Sequence, residues 1–260
     1  MIKAVFVDID GTLTDLKTNI IPESAKEAVS AARKRGVLVC VASGRHTRAK
    51  EESEAIRDME FDAYVSLNGQ ICYLPDGKVY HKNRLDDHDV RIVVDFAKST
   101  PFPCVFATLN NLFASFIDDR LINAYGSVGI TLPETMPIDE IVKNEIFMIC
   151  PLIDTELESL ILSKLGRCEI TRWFPLSADI VAKNGGKHIG LQKTLELFNI
   201  DISESIAFGD SSNDITMLKS AGIGVAMGGS AKEVLAAADY IAPPVSEDGL
   251  YKTFLKFGII

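Results

Sequence analysis

A short apolar run, Ala4 to Val7, ends at Asp8-Ile9-Asp10-Gly11-Thr12-Leu13-Thr14. A run that is apolar at every position and rich in β-branched and aromatic residues is predicted to be a strand buried on both faces of a parallel sheet. A strand points residues i and i+2 to the same side. Asp8 and Asp10 therefore converge at its carboxyl end, where open α/β sheets bind ligands. Two like charges at one point require a cation, and a site of oxygen ligands with few protein carboxylates suits Mg²⁺. Taken alone, Asp-x-Asp-Gly is equally an ordinary tight turn.

The chain around this run alternates in the manner of parallel βαβ units. Pro22 and Glu23 suit a helix start, and Gly36 stops that helix after Arg33-Lys34-Arg35. A second apolar run, Val37 to Ala42, ends at Ser43-Gly44-Arg45, and a charge-rich helix is predicted to follow. Phe61 to Leu67 makes a third strand. The β-α-β-α-β order implies right-handed crossovers and an α/β core. Asn68-Gly69 and Pro75-Asp76-Gly77 are turn signals around a hairpin of about 70–74 and 78–81.

The pattern changes at about residue 84. Helices are predicted near 86–98, 119–127 and 154–165, and strands near 103–108, 112–117, 144–150, 167–173 and 178–182. Strands adjacent in sequence suggest an α+β sheet with helices on one face, inserted into the first domain. The α/β pattern then resumes. After Asn184-Gly185-Gly186, Lys187 opens a helix, and the strand Ser205 to Phe208 delivers Gly209-Asp210-Ser211-Ser212-Asn213-Asp214. A helix through 217–219, a strand over 223–226, a helix near 230–238, a strand over 240–242 and a helix over about 247–257 are expected to complete the sheet. The division expected is therefore a core of 1–83 and 183–260 with an inserted domain of 84–182.

Asp8-x-Asp10, Ser43-Gly44-Arg45, Lys187 and Gly209 to Asp214, each after a strand-like run and in this order, resemble the four motifs of the haloacid dehalogenase superfamily. Their spacing is similar to that of its Cof-type sugar-phosphate phosphatases. The resemblance lies in about 1–81 and 183–260, and the middle matches by length and position. It implies a Rossmann-like parallel-sheet core with an inserted α+β (C2-type) cap. It further implies a Mg²⁺-dependent phosphatase of small phosphorylated metabolites, hexose phosphates foremost, working through an aspartyl-phosphate with the cap closing over the site.

Phosphate monoester hydrolysis has one of the largest uncatalysed barriers known, so phosphate charge must be neutralised and an in-line nucleophile supplied. The resemblance gives Asp8 the nucleophile's role and Asp10 that of acid and base, with a backbone-carbonyl contact to the metal. Asp210 would complete the Mg²⁺ site, and Asp214 would hold a metal-bound water or orient Lys187. Ser43, the Gly44 N–H and the start of the next helix would form an anion site. Lys187 and Asn213 would add donors to the phosphate, and Arg45 would contact substrate. Ser43 is also a plausible helix cap, and Lys183 rivals Lys187 as the motif lysine.

Net charge is −9, and Lys and Arg are scattered. That disfavours nucleic acid and anionic membranes as partners, since both require dense positive charge. The five cysteines form no CxxC pair and read as reduced core thiols. The four histidines lack zinc-ligand spacing, and Trp173 with Arg172 suggests core or a sugar contact. With no signal peptide before the first strand and no apolar run near ~18 residues, the expectation is a cytoplasmic protein, monomeric or a small homo-oligomer. A phosphomannomutase-like phosphomutase and a non-catalytic sugar-phosphate sensor are the alternatives. Retention of both Asp8 and Asp10 argues against the sensor.

Overall fold

A computed structural model describes residues 1–48, 56–127 and 131–260, with the backbone alone of 171–174. In chain order the elements are β1 (Ala4–Val7), α1 (Glu23–Lys34), β2 (Leu38–Ala42), β3 (Ala63–Ser66), β4 (Ile71–Tyr73) and β5 (Val79–Lys82). Next come α2 (Asp87–Ser99), β6 (Cys104–Ala107), β7 (Leu112–Ala114), α3 (Asp119–Ser127), β8 (Glu134–Thr135), α4 (Ile138–Ile141), β9 (Met148–Pro151), α5 (Thr155–Leu162), β10 (Cys168–Phe174) and β11 (Ser177–Ala182). The chain ends with α6 (Lys187–Phe198), β12 (Ser205–Gly209), α7 (Ile215–Ser220), β13 (Ile223–Met227), α8 (Lys232–Leu235), β14 (Tyr240–Ala242) and α9 (Gly249–Lys256). Two compact units divide it: Met1–Arg45, 56–82 and Gly186–Ile260 form the first, and 46–48 with Asn83–Gly185 the second.

The first unit is a mainly parallel α/β sandwich. Its strands run β14-β13-β12-β1-β2-β3-β4-β5. Every pair from β14 to β3 is parallel, and the β3–β4–β5 meander is antiparallel. The chain leaves β1 toward β2 on one side and returns to β12 on the other. The strand order thus reverses beside β1, which is where ligands bind in sheets of this kind. Val5 and Val7 face α1 and α9, whose Ala28, Ala32 and Phe254 are fully buried. Ala4 and Phe6 face Leu191 of α6 and Met217 of α7. On α1 the buried residues are Ala25, Ala28, Val29 and Ala32, the i, i+3, i+4, i+7 stripe of an amphipathic helix. Three of these are alanines, so the helix backbone approaches the sheet closely.

The second unit is α+β. Its strands run β10-β11-β9-β6-β7-β8, antiparallel except for β7 with β8. Val93 and Val94 of α2 and Ile161 of α5 pack on Phe106, Ile149 and Ile180 of this sheet. The Asp86 and Asp154 carboxylates cap the two helices, accepting from His88 N at 3.0 Å and Leu157 N at 2.9 Å.

Several boundaries differ from the sequence reading. β9 begins at Met148 rather than near 144, because Asn144 turns its amide back onto the Ile141 carbonyl at 2.9 Å and ends α4, an element not foreseen. β7 stops at Ala114, and α8 spans only Lys232–Leu235. Residues 44–48 make bends and turns, so the helix N-terminus expected directly after Gly44 is not formed there. The charge-rich helix expected beyond falls mainly on 49–55, outside the described residues. No described helix is long and apolar enough to cross a membrane.

Candidate active site

Three strand ends and the start of α6 supply the site. After β1 the chain turns back on itself. Leu13 N donates to the Asp8 carbonyl at 3.2 Å, Thr14 N to the Ile9 carbonyl at 2.8 Å, and Gly11 N to the Thr14 carbonyl at 2.9 Å. Gly11 has φ +79, and a Cβ there would stand 2.2 Å from Asp210 Oδ2. Only glycine serves both the left-handed backbone and this approach. Thr12 Oγ1 then donates to Asp210 Oδ1 at 3.2 Å, joining the β1 loop to the β12 loop.

Lys187, the first residue of α6, is fully buried, and its Nζ lies 2.6 Å from Asp8 Oδ1 and 2.6 Å from Asp214 Oδ1. The second Asp214 oxygen accepts from the backbone N–H of Asp210 and of Ser211, both at 3.0 Å. Asp214 therefore fixes the loop that carries Asp210 as well as the lysine. Burial pushes the Asp8 carboxyl well above the usual carboxylate range; Lys187 opposes this, and Asp214, Asp210 and Asp10 add to it. Burial and then Asp214 push Asp210 up to about 7. Burial alone would lower the Lys187 ammonium, yet Asp214 and Asp8 hold it above its ordinary value. Burial is the largest cause for both carboxyls, and beside it all three groups feel an excess of negative charge.

That excess tests whether a cation fits. Carboxylate oxygens of Asp8, Asp210 and Asp214 lie within 4.8 Å of one another, and three carboxylates face one ammonium. The donors are all oxygen, with no cysteine or histidine in the group. A hard divalent cation fits such a set, and Mg²⁺ fits it well because it takes few protein carboxylates. The Asp10 carboxylate stands apart from this group and is gripped by Arg45. Arg45 Nε donates to Asp10 Oδ2 at 2.8 Å and Nη2 to Oδ1 at 2.6 Å.

At the end of β2, Ser43 is buried, and its Oγ accepts from Arg45 N at 3.1 Å. Ser43 N donates to the Val65 carbonyl at 2.8 Å. Asn213 Nδ2 donates to Asn68 Oδ1 at 2.9 Å. The structure thus gathers Asp8, Lys187, Asp210 and Asp214 around one point, pairs Arg45 with Asp10, and sets Asn213 against Asn68. Asn68 and Thr12 were not singled out by the sequence. The Asn68-Gly69 turn signal was noted, but a hairpin turn explained it fully. Elsewhere His46 is buried and its Nε2 donates to the Thr108 carbonyl at 2.8 Å, a core contact. The side chains of Arg172 and Trp173 lie outside the described ones.

A family model described as haloacid dehalogenase-like hydrolase matches residues 5–254, nearly the whole chain. The chain belongs to the haloacid dehalogenase-like hydrolases. It is 31% identical to YkrA of Bacillus subtilis (strain 168), with 99% of this chain and 98% of that one covered. The solved structure of the HAD subclass IIB sugar phosphatase BT4131 superposes with a TM-score of 0.89 at 34% identity, covering 99% of this chain and all of that one. The 5-amino-6-(5-phospho-D-ribitylamino)uracil phosphatase YcsE of B. subtilis (strain 168) is 26% identical over 96% of this chain and 94% of its own. Core and inserted α+β unit together are those of a HAD phosphatase, and the protein is a phosphoric monoester hydrolase of this family acting on small phosphorylated molecules.

Proposed function

We propose that this hydrolase takes hexose phosphates and related sugar phosphates, cleaves them through an aspartyl-phosphate on Asp8, and requires Mg²⁺. The observation that carries the proposal is the buried Lys187 between Asp8 and Asp214, with Asp210 beside them. A carboxylate attacks a phosphate dianion only where its own charge is masked, and Lys187 at 2.6 Å masks it. Asp8, Asp210 and the backbone carbonyl of Asp10 would hold Mg²⁺, which when bound supplies further charge neutralisation to the phosphoryl group.

The rest of the chemistry belongs to the chain. The Asp8 carboxylate attacks phosphorus in line with the ester oxygen. The Asp8–phosphorus bond forms as the bond to the leaving oxygen breaks. Asp10, with one oxygen released from the Arg45 fork and protonated, gives the leaving oxygen its proton, so the sugar departs as a neutral alcohol. Asp10 then accepts a proton from the water that attacks phosphorus, the bond to Asp8 breaks, and inorganic phosphate is released. Ser43, the Gly44 N–H, Asn213 and Lys187 bind the phosphoryl oxygens, and Asp214 orients Lys187.

A panel of phosphorylated metabolites, assayed with Mg²⁺ and again with a chelator, tests this reading. Turnover of hexose phosphates that the chelator abolishes is the expected result. Full turnover in the chelator overturns the metal assignment, and a preference for phosphorylated compounds other than sugar phosphates overturns the substrate assignment.

A further inference from the structure

Between β3 and β4 the chain passes through Leu67 at φ +52, Asn68 at φ +52 and Gly69 at φ +85, three left-handed residues in a row. Asparagine accepts this conformation readily and leucine does not, and such strain persists only where the surroundings fix it. The surroundings here are the loops of the site. Leu67 N donates to the Arg45 carbonyl at 3.1 Å and Asn68 N to the Ser43 carbonyl at 2.9 Å. A Cβ on Gly69 would stand 2.2 Å from the Gly186 carbonyl oxygen and 3.3 Å from Lys187 N. The turn therefore touches both the β2 loop and the start of α6.

The Asn68 side chain ends a directed relay. Ser211 Oγ donates to Asn213 Oδ1 at 2.6 Å, and Asn213 Nδ2 donates to Asn68 Oδ1 at 2.9 Å. Asn213 is thus oriented by its oxygen, and Asn68 in turn presents its oxygen to Asn213 and its Nδ2 elsewhere. Asn68 is 8% exposed, yet Nδ2 has no protein acceptor among the described residues. A Cβ on Gly44 would lie 3.4 Å from Asn68 Nδ2 and 3.6 Å from Asn213 Nδ2, so both amide nitrogens border the bare Gly44 backbone. The Asn68 amide thus has N–H groups that no protein acceptor occupies, on a nitrogen that solvent reaches, and beside it are the residues proposed above to bind phosphate.

We propose that Asn68 binds the substrate's phosphoryl group, its Nδ2 donating to a non-bridging oxygen beside Gly44 and Asn213, while its Oδ1 holds Asn213 in register. The inference rests on reading the site as that of a phosphatase. Asparagine suits the position because an aspartate would hold Asn213 equally well but would set a fixed negative charge against the phosphate.

That difference makes the test. Asn68→Asp keeps the acceptor for Asn213 and tolerates left-handed backbone, and Asn68→Gly keeps the backbone and removes both functions. Inorganic phosphate is titrated calorimetrically into each Mg²⁺-loaded protein, with p-nitrophenyl phosphate turnover and melting temperature measured alongside. Losing a hydrogen bond to a charged group should weaken phosphate binding about 10- to 100-fold in Asn68→Gly, and the repulsive carboxylate should weaken it further in Asn68→Asp. Asn68→Asp binding phosphate better than Asn68→Gly would mean that the residue only orients Asn213, and would overturn the proposal. Wild-type affinity in either variant would overturn it while leaving the phosphatase reading intact, provided the parent protein turns over p-nitrophenyl phosphate. A parent that neither hydrolyses nor binds phosphate defeats both. Should Asn68→Asp not fold, Asn68→Gly decides alone: unchanged affinity overturns the proposal and a loss of about tenfold or more sustains it.

Discussion

Arg45 grips Asp10 with a two-pronged contact, Nε to Oδ2 at 2.8 Å and Nη2 to Oδ1 at 2.6 Å. The fork fixes the plane of the carboxylate as well as its place, which a lysine cannot do. Arg45→Lys should therefore lower kcat for a hexose phosphate about tenfold, the scale of one charged hydrogen bond, with little change in KM. A rise in KM at constant kcat would return Arg45 to the substrate contact that its sequence position suggests.

Asp8 and Asp10 should separate in pre-steady-state kinetics. Asp8→Asn removes the attacking oxygen, so no phosphoenzyme forms and turnover vanishes. Asp10→Asn keeps the attacking Asp8 and removes proton transfer, worth about 10²–10⁴ in rate and most of that with an alkoxide leaving group, together with one prong of the Arg45 contact. Rapid quench with an aryl phosphate should show a burst of released phenol in Asp10→Asn and none in Asp8→Asn. A burst in Asp8→Asn would mean that another residue is the nucleophile.

Lys187→Met should cost stability as well as activity. It leaves the Asp8 and Asp214 carboxylates buried without their shared cation, and breaking a buried pair from one side costs about 3–5 kcal/mol. Urea denaturation in a chelator reads this directly. A variant as stable as the parent would show that Lys187 contributes charge to catalysis but nothing to the fold.

Divalent cations should raise the melting temperature. A ligand present at a hundred times its dissociation constant stabilises by about 2.7 kcal/mol, and Mg²⁺ should do so in the parent but not in Asp210→Asn. Excess Ca²⁺ should inhibit, since its longer, looser shell displaces the phosphoryl group relative to Asp8. Equal thermal shifts in parent and Asp210→Asn would place the ion elsewhere.

The cysteines predict an alkaline limit to stability. All five are free and buried, burial raises the Cys40, Cys72 and Cys104 thiols above their ordinary range, and it pushes Cys168 up to about 12. A thiol whose folded pKa is raised stabilises the fold below its unfolded value near 9, and that contribution is lost as pH rises beyond it, because the unfolded chain then releases the proton first. Stability should fall as pH rises from about 9 to about 12. Ellman's reagent should label the thiols only as the protein unfolds, and rapid labelling of the native protein would contradict the burial.

The strand-end motifs were legible because each is local. Asp8, Ser43 and Asp210 follow short apolar runs, and Lys187 follows a glycine turn, so period and punctuation alone put them at sheet ends. What joins them is not local. The Arg45 hold on Asp10 spans 35 positions and the Asn213 contact with Asn68 spans 145, and nothing in either neighbourhood signals the other. Asn68-Gly69 was hidden for a different reason: it is a complete hairpin signal, so no residue was left over to explain. In the second unit the strand expected near 144–150 took in Asn144 and Glu145, and the Asn144 contact that ends α4 depends on a helix too short to announce itself.

The strand order of the first unit also bears on how the chain is made. β1 lies between β2 and β12, so during synthesis it has a neighbour on one edge only until residues beyond 205 emerge. The second unit draws its strands and helices almost wholly from one continuous stretch, 83–185, and is free to assemble earlier. A ribosome stalled between the two events would display a finished insert beside a half-built sheet, its β1 edge open to other chains. Lys187, 179 positions after Asp8, reaches its partner only late, so the active site forms near the end of translation.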